Sequence, residues 1–127
     1  MNALLESLLV PDGVSWTYFH RRLDDAIPFI WHYHEEYELH LVVQTRGRAF
    51  IGEHVSEFGP GHLVLVGPRV PHNWVTTEVP EDGVALRDRV IQFAHAPIEH
   101  AAGRLPELAE ALPLLARARH GLEFRGL

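Results

Sequence analysis

Phe29-Ile-Trp-His32-Tyr-His34-Glu-Glu-Tyr-Glu38-Leu-His40 is the stretch on which the fold turns. On an extended strand alternate residues share a face, so His32, His34, Glu36, Glu38 and His40 point one way. Trp31, Tyr33, Tyr37, Leu39, Leu41 and Val43 point the other. Imidazole nitrogens and a carboxylate converging from one strand are metal-ligand chemistry. If that face looks into a barrel, it makes a pocket. If it looks at water, it is an ordinary wet face of an antiparallel sheet.

Outward from this stretch the texture stays β up to about residue 95. Short runs rich in Val, Ile, Phe, Tyr, Trp and Thr alternate with Gly/Pro punctuation. They predict strands near 14–20, 29–34, 37–44, 48–52, 55–58, 62–67, 73–77 and 86–94. Turns are expected at Thr45-Arg-Gly-Arg48, Gly52-Glu-His54, Gly59-Pro-Gly61, Gly67-Pro68 and Pro80-Glu-Asp-Gly83. Short strands at this close spacing suggest a sandwich or barrel. The period then changes: Leu105, Leu108, Leu112 and Leu115 recur at helical spacing. Pro106 suits a first helical turn, Pro113 the start of a second helix, and Gly121 a C-terminal cap. At the other end Leu4, Leu5, Leu8 and Leu9 give residues 3–10 the pattern of a short helix or docking arm, closed by the turn Pro11-Asp-Gly13.

The chain has 127 residues, 46% of them hydrophobic, which fits one domain with a real core. No apolar run approaches the roughly 18 residues of a membrane span. The N-terminus lacks a basic start and carries Glu6 within its apolar stretch, so it does not read as a signal peptide. A cytoplasmic protein is the expectation. There is no cysteine, which excludes disulfides and thiolate ligands. All eleven cations are arginine, so lysine chemistry is excluded as well. The formal net charge of −6 argues against this chain gripping a phosphate backbone by itself. Ser7, Ser15 and Ser56 lack a nucleophile-elbow context, and the glycines punctuate hairpins rather than cradle phosphate.

Taken together, residues 15–126 resemble a cupin, and more narrowly the N-terminal sensing domain of AraC-type transcriptional regulators. The specific part is residues 29–74, FIWHYHEEYELHLVVQTRGRAFIGEHVSEFGPGHLVLVGPRVPHNW. His32-x-His34-x3-Glu38 is similar to the first cupin motif, and Gly61 through Pro68, Pro71 and His72 resemble the second. Gln92-Phe93 and the ending Leu114–Leu122 also look like this group. The resemblance implies an all-β cupin, a double-stranded β-helix or jelly-roll barrel with two short C-terminal α-helices. One domain would span 1–127, with an arm at 1–13, a β-barrel at 14–95 and a helical hairpin at 104–121.

In metal-binding cupins two histidines, a glutamate and a later histidine hold one divalent metal. The resemblance carries these roles to His32, His34, Glu38 and His72, and zinc, nickel, iron and manganese all suit such a set. The sequence also departs from the family pattern. Thr45 stands where a glycine is usual, with the hairpin glycine at Gly47. Pro71 directly precedes His72 without the usual Pro-x-Gly, and Thr76 replaces an expected asparagine. These departures leave the fold intact and bear on the metal.

Full-length members carry paired helix-turn-helix motifs, and nothing here resembles them. The implied function is an effector-sensing domain for a small molecule, sugar-like or another carbon source, without direct nucleic-acid binding or membrane association and with a homodimer as the expected assembly. The expectation is not an enzyme. The alternative is a stand-alone metal-dependent cupin enzyme of isomerase or oxygenase type.

Further ligand-binding candidates follow from position. His40 shares the face of the metal set and would line the pocket. Gln92 is polar in an apolar strand, either exposed or bonded to ligand. Phe50 and Trp74 lie near the motif strands and could stack on a ligand. Glu36 reads as a solvent-exposed carboxylate. His54, His62, His95, His100 and His120 read as surface residues, and the other aromatic rings, Trp16 and Tyr18 among them, as core or interface packing.

Overall fold

The computed structural model describes residues 3–5, 15–21 and 31–126, without the side chains of Phe19 and Arg21. The strands are β1 (Leu4–Leu5), β2 (Trp16–Arg21), β3 (His32–Tyr33), β4 (Tyr37–Val42), β5 (Arg46–Ile51), β6 (His54–Phe58), β7 (Leu63–Val66), β8 (His72–Glu78), β9 (Asp88–Phe93) and β10 (Leu122–Phe124). Three short helices, α1 (His95–Ala102), α2 (Pro106–Ala109) and α3 (Ala111–Arg117), lie between β9 and β10. One sheet has the order β1-β3-β8-β5-β6, the other β10-β7-β4-β9-β2. The fold is mostly β, two five-stranded sheets in a jelly-roll sandwich, as the cupin resemblance implies.

The alternation along each strand decides what lies between the sheets. From the β4 sheet come Val42, Val64 and Val66; from the β5 sheet come Ala49, Ile51 and Phe58, with Val70 beside them and Trp74 packed against the cluster. Each fully buried aliphatic side chain of this kind stabilises the fold by about 1.5–3 kcal/mol. A second cluster sits on the opposite face of the β4 sheet. Tyr37, Leu65, Leu115 and Ala118 are its buried members, and Leu39, Phe93, Ile98, Leu112, Leu122 and Phe124 pack against it. The helices therefore cover the outside of one sheet. Gly52, at φ +58°, makes the tight β5–β6 turn, a backbone conformation that glycine adopts without a Cβ clash.

Four details differ from the sequence reading. Leu4 and Leu5 form a strand paired in parallel with His32 and Tyr33, not a helix; their tie is made by backbone groups, and both side chains stay exposed. Leu8, Leu9 and the Pro11-Asp-Gly13 turn lie outside the described residues. Helix α1 was not expected: Ala94 provides no side-chain cap, and Ala102 is its one buried residue. The chain after Gly121 is β10, paired antiparallel with β7. The leucine stripe also divides, with Leu112 and Leu115 in the outer cluster and Leu105 and Leu108 exposed.

Candidate metal centre and sandwich interior

The motif strand crosses from one sheet to the other, and this crossing assembles the site. His32 lies opposite His72 across β3 and β8, so both rings face the same side of their sheet. His34 follows at the bend that leads into β4, where Glu38 faces inward. Each of His32, His34 and His72 offers one ring nitrogen, all within 4.8 Å of one another. The His32 and His72 ring centroids are 4.5 Å apart, and those of His34 and His72 4.8 Å. This geometry is close enough to hold a metal ion.

The hydrogen bonds show which nitrogens are turned inward. His34 Nδ1 lies 2.9 Å from the Glu36 carbonyl and His72 Nδ1 2.7 Å from the Val70 carbonyl, so in each ring Nδ1–H donates to the backbone. A neutral imidazole then has a bare lone pair at Nε2. His34 Nε2 faces Glu38 Oε1 at 3.2 Å, and His72 Nε2 lies 3.7 Å from Glu38 Oε2. The buried His72 Nε2 has no hydrogen-bond partner. Gln92, directly opposite Glu38 in the β4–β9 register, donates its amide to Glu38 Oε1 at 2.9 Å. Burial alone would raise the Glu38 pKa. With protons on the ring Nε2 atoms, the His72 charge and the His34 hydrogen bond outweigh burial and hold the carboxyl well below the usual carboxylate range. An ionised carboxylate facing two imidazole lone pairs needs a cation between them, either protons on the rings or a metal ion. The residues fit a divalent transition metal on this ground.

Further along the same face lies a second polar group. His40 is fully buried; its Nε2–H donates to Asp88 Oδ2 at 3.2 Å, and Arg87 Nε donates to the same oxygen at 3.2 Å. The His40 ring stacks on Trp74, with centroids 3.8 Å apart and planes 21° apart, and Trp74 meets His72 edge-on at 5.8 Å. Trp74 thus joins the two polar groups. His62 lies near this end, 6.0 Å from the Phe58 ring, and its side chain is 5% exposed. Desolvation, together with the charges of His40 and Arg125, lowers the His62 pKa against the opposing pull of Glu123. His40 Nδ1, both His62 ring nitrogens and Trp74 Nε1 are buried without a hydrogen-bond partner.

The pattern of the AraC-like ligand binding domain matches residues 16–124. The chain belongs to that family. A search of curated proteins finds no match.

Within this AraC-like domain the structure brings His32, His34, Glu38, His72, His40, Gln92 and Trp74 to one interior. Phe50 is a correction. Gly47, Ala49 and Ile51 are the inward residues of β5, so Phe50 alternates outward. It lines a groove of about 820 Å3 with Arg46, Arg48, Glu57, Val75 and Glu78. Glu36 is half-buried rather than fully exposed, its carboxylate 3.8 Å from His34 Nδ1. The His62 side chain is only 5% exposed, unlike His54, His95, His100 and His120, which are exposed residues. Trp16 and Tyr18 are exposed, at 58% and 42%. Asp88 was missed. Its signal was available: Asp88, Val90 and Gln92 share one face of β9, and all three are buried. No helix among the described residues is long and apolar enough to cross a membrane.

Proposed function

We propose that this domain binds a small, uncharged, hydroxyl-rich molecule between its sheets, as the effector-sensing part of an AraC-type transcription regulator. The observation that carries the reading is the set of unpartnered buried atoms on His40, His62 and Trp74. With Nε2–H given to Asp88, His40 Nδ1 is an acceptor; Trp74 Nε1–H is a donor; neutral His62 is both. Each buried polar group left without a partner costs about 1–3 kcal/mol. A hydroxyl group donates and accepts, so a polyol or sugar serves all of them. An anion would meet the Glu38 and Asp88 carboxylates, and an ammonium offers no acceptor to the Trp74 N–H.

The metal belongs to the same reading. His32, His34 and His72 would hold it, with Glu38 as the neighbouring carboxylate and Gln92 fixing the orientation of that carboxylate. When bound, such an ion supplies a Lewis acid able to polarise a ligand oxygen. Exposed Leu105, just before α2, and Leu108 and Leu114 on the helices support a homodimer. The triad alone also suits a metal-dependent isomerase or oxygenase. Turnover of the hydroxylated ligand by the purified domain, rather than reversible binding, would favour that second reading.

Thermal melts against sugars, polyols, carboxylates and amines test the effector class. A neutral hydroxylated compound should raise Tm, by the equivalent of about 2.7 kcal/mol at a hundred times its Kd. Trp74→Phe should remove the effect. A response confined to anions would overturn the reading. Elemental analysis tests the metal: about one equivalent is expected, lost in the His32→Ala/His34→Ala double variant with far-UV circular dichroism unchanged. Metal retained by that variant would refute the ligand set.

A further inference from the structure

The strands that carry the interior site also hold helix α1, through neighbouring residues on opposite faces. Glu38 and Gln92 pair across β4 and β9 and point inward, where the Gln92 amide bonds the Glu38 carboxylate at 2.9 Å. One residue away, Tyr37 and Phe93 pair in the same register and point outward. Their rings stack with centroids 5.0 Å apart and planes 13° apart. The Tyr37 hydroxyl then reaches the first residue of α1: it lies 2.8 Å from His95 Nδ1, and His95 Nε2 lies 3.4 Å from Glu99 on the next turn. Burial and the Glu99 charge both raise the Tyr37 pKa, so the hydroxyl keeps its proton and can donate a hydrogen bond to His95 Nδ1.

Among the described residues helix α1 has little else to hold it. Ala102 is its one buried residue, Ile98 packs partly, and no side chain caps its N-terminus. A segment with so few apolar contacts opens at low free-energy cost and responds to small changes in its remaining contacts. Tyr37 is 4% exposed, wedged between the sheet and the helices, so it cannot shift without moving its neighbours.

We propose that β4 and β9 transmit the state of the interior site to α1 through Tyr37 and His95, so that an ion held at the His32–His34–His72 triad tightens the docking of α1. This rests on the metal-holding reading given above. Glu38 is the lever, because its carboxylate faces the triad while its backbone is shared with Tyr37. The coupling is reciprocal: whatever loosens α1 must weaken binding at the triad by the same factor.

The test uses Zn2+ alone as the probe, with amide hydrogen exchange over residues 95–102 and the Zn2+ dissociation constant as two readouts. In the wild-type chain Zn2+ should slow exchange in α1 about fivefold or more. Tyr37→Phe keeps the stack on Phe93 and removes the hydroxyl. It should speed exchange in the metal-free chain, abolish the Zn2+ response and weaken Zn2+ binding by the factor lost from that response. His95→Gln should behave alike. Zn2+ binding with α1 exchange unchanged or faster overturns the coupling and leaves the triad standing. An undiminished response in Tyr37→Phe removes Tyr37 from the path. No Zn2+ binding at all overturns the triad and the coupling together.

Discussion

The two faces of the β4 sheet are both covered, yet they are built from opposite chemistry. The inner face presents Glu38, His40, Asp88 and Gln92 among valines. The outer face presents Tyr37, Leu39, Leu65 and Phe93 under the helices. A sheet with one polar and one apolar face normally turns the polar one to water. Here the polar face is the interior, and the apolar face is closed by α1 and α3. Both faces bury an apolar cluster, and the inner one also buries groups suited to binding.

That division can be broken from either side. The largest effect is expected outside. Leu115→Ala removes a buried leucine from the outer cluster and should cost about 2–5 kcal/mol in urea unfolding. Its effector affinity should stay unchanged, and a variant that unfolds little but binds poorly would erase the distinction between the faces. Gln92→Ala acts inside. It strips Glu38 of one donor and should cost about 1–3 kcal/mol, read chiefly as weakened metal and effector binding with the circular dichroism spectrum retained. Unchanged affinity would remove Gln92 from the site.

The smallest effect sharpens the comparison through pH. His62 has a lowered pKa in the folded chain, chiefly from desolvation. The unfolded chain, with an ordinary imidazole near ~6.5, takes up a proton that the folded one refuses. Its contribution to stability is therefore complete above that value and is lost as pH falls through it toward the folded pKa. The urea midpoint should drop between pH 8 and pH 5.5, and less so in His62→Gln. Equal drops in the two proteins would show that His62 is not the titrating group.

Most strands were legible because their β-branched runs and Gly/Pro boundaries are local signals. The parity of His32, His34, Glu38 and His40 was legible for the same reason. What alternation could not reveal was which parity faces inward, since a period of two is symmetric about the sheet plane. Phe50 was misplaced on that account: it lies between Ala49 and Ile51, and alternation alone does not say which of the two parities is buried. The site itself needs His72, brought beside His32 by a strand pairing forty positions apart in sequence; only the family resemblance suggested it. Strand β10 escaped because Leu122-Glu-Phe124 is too short to carry a period, and its pairing with β7 is wholly non-local. Helix α1 escaped because its sequence, His95-Ala-Pro-Ile-Glu-His-Ala-Ala102, carries neither a capping residue nor a strong apolar stripe.

Strand β10 has one more consequence, for the order in which the molecule is made. It lies at the end of its sheet, against β7, and the Gly67 amide beside β7 bonds the Ala118 carbonyl at 2.9 Å. A side chain at Gly67 would collide with that carbonyl, its Cβ only 2.7 Å away. During synthesis the flank of β7 stays open until Phe124 has left the ribosome. Until then β7, paired with β4 on one side, exposes its other edge at Leu63-Val-Leu-Val66, the kind of edge that recruits other chains. Strand β10 is the one that closes it.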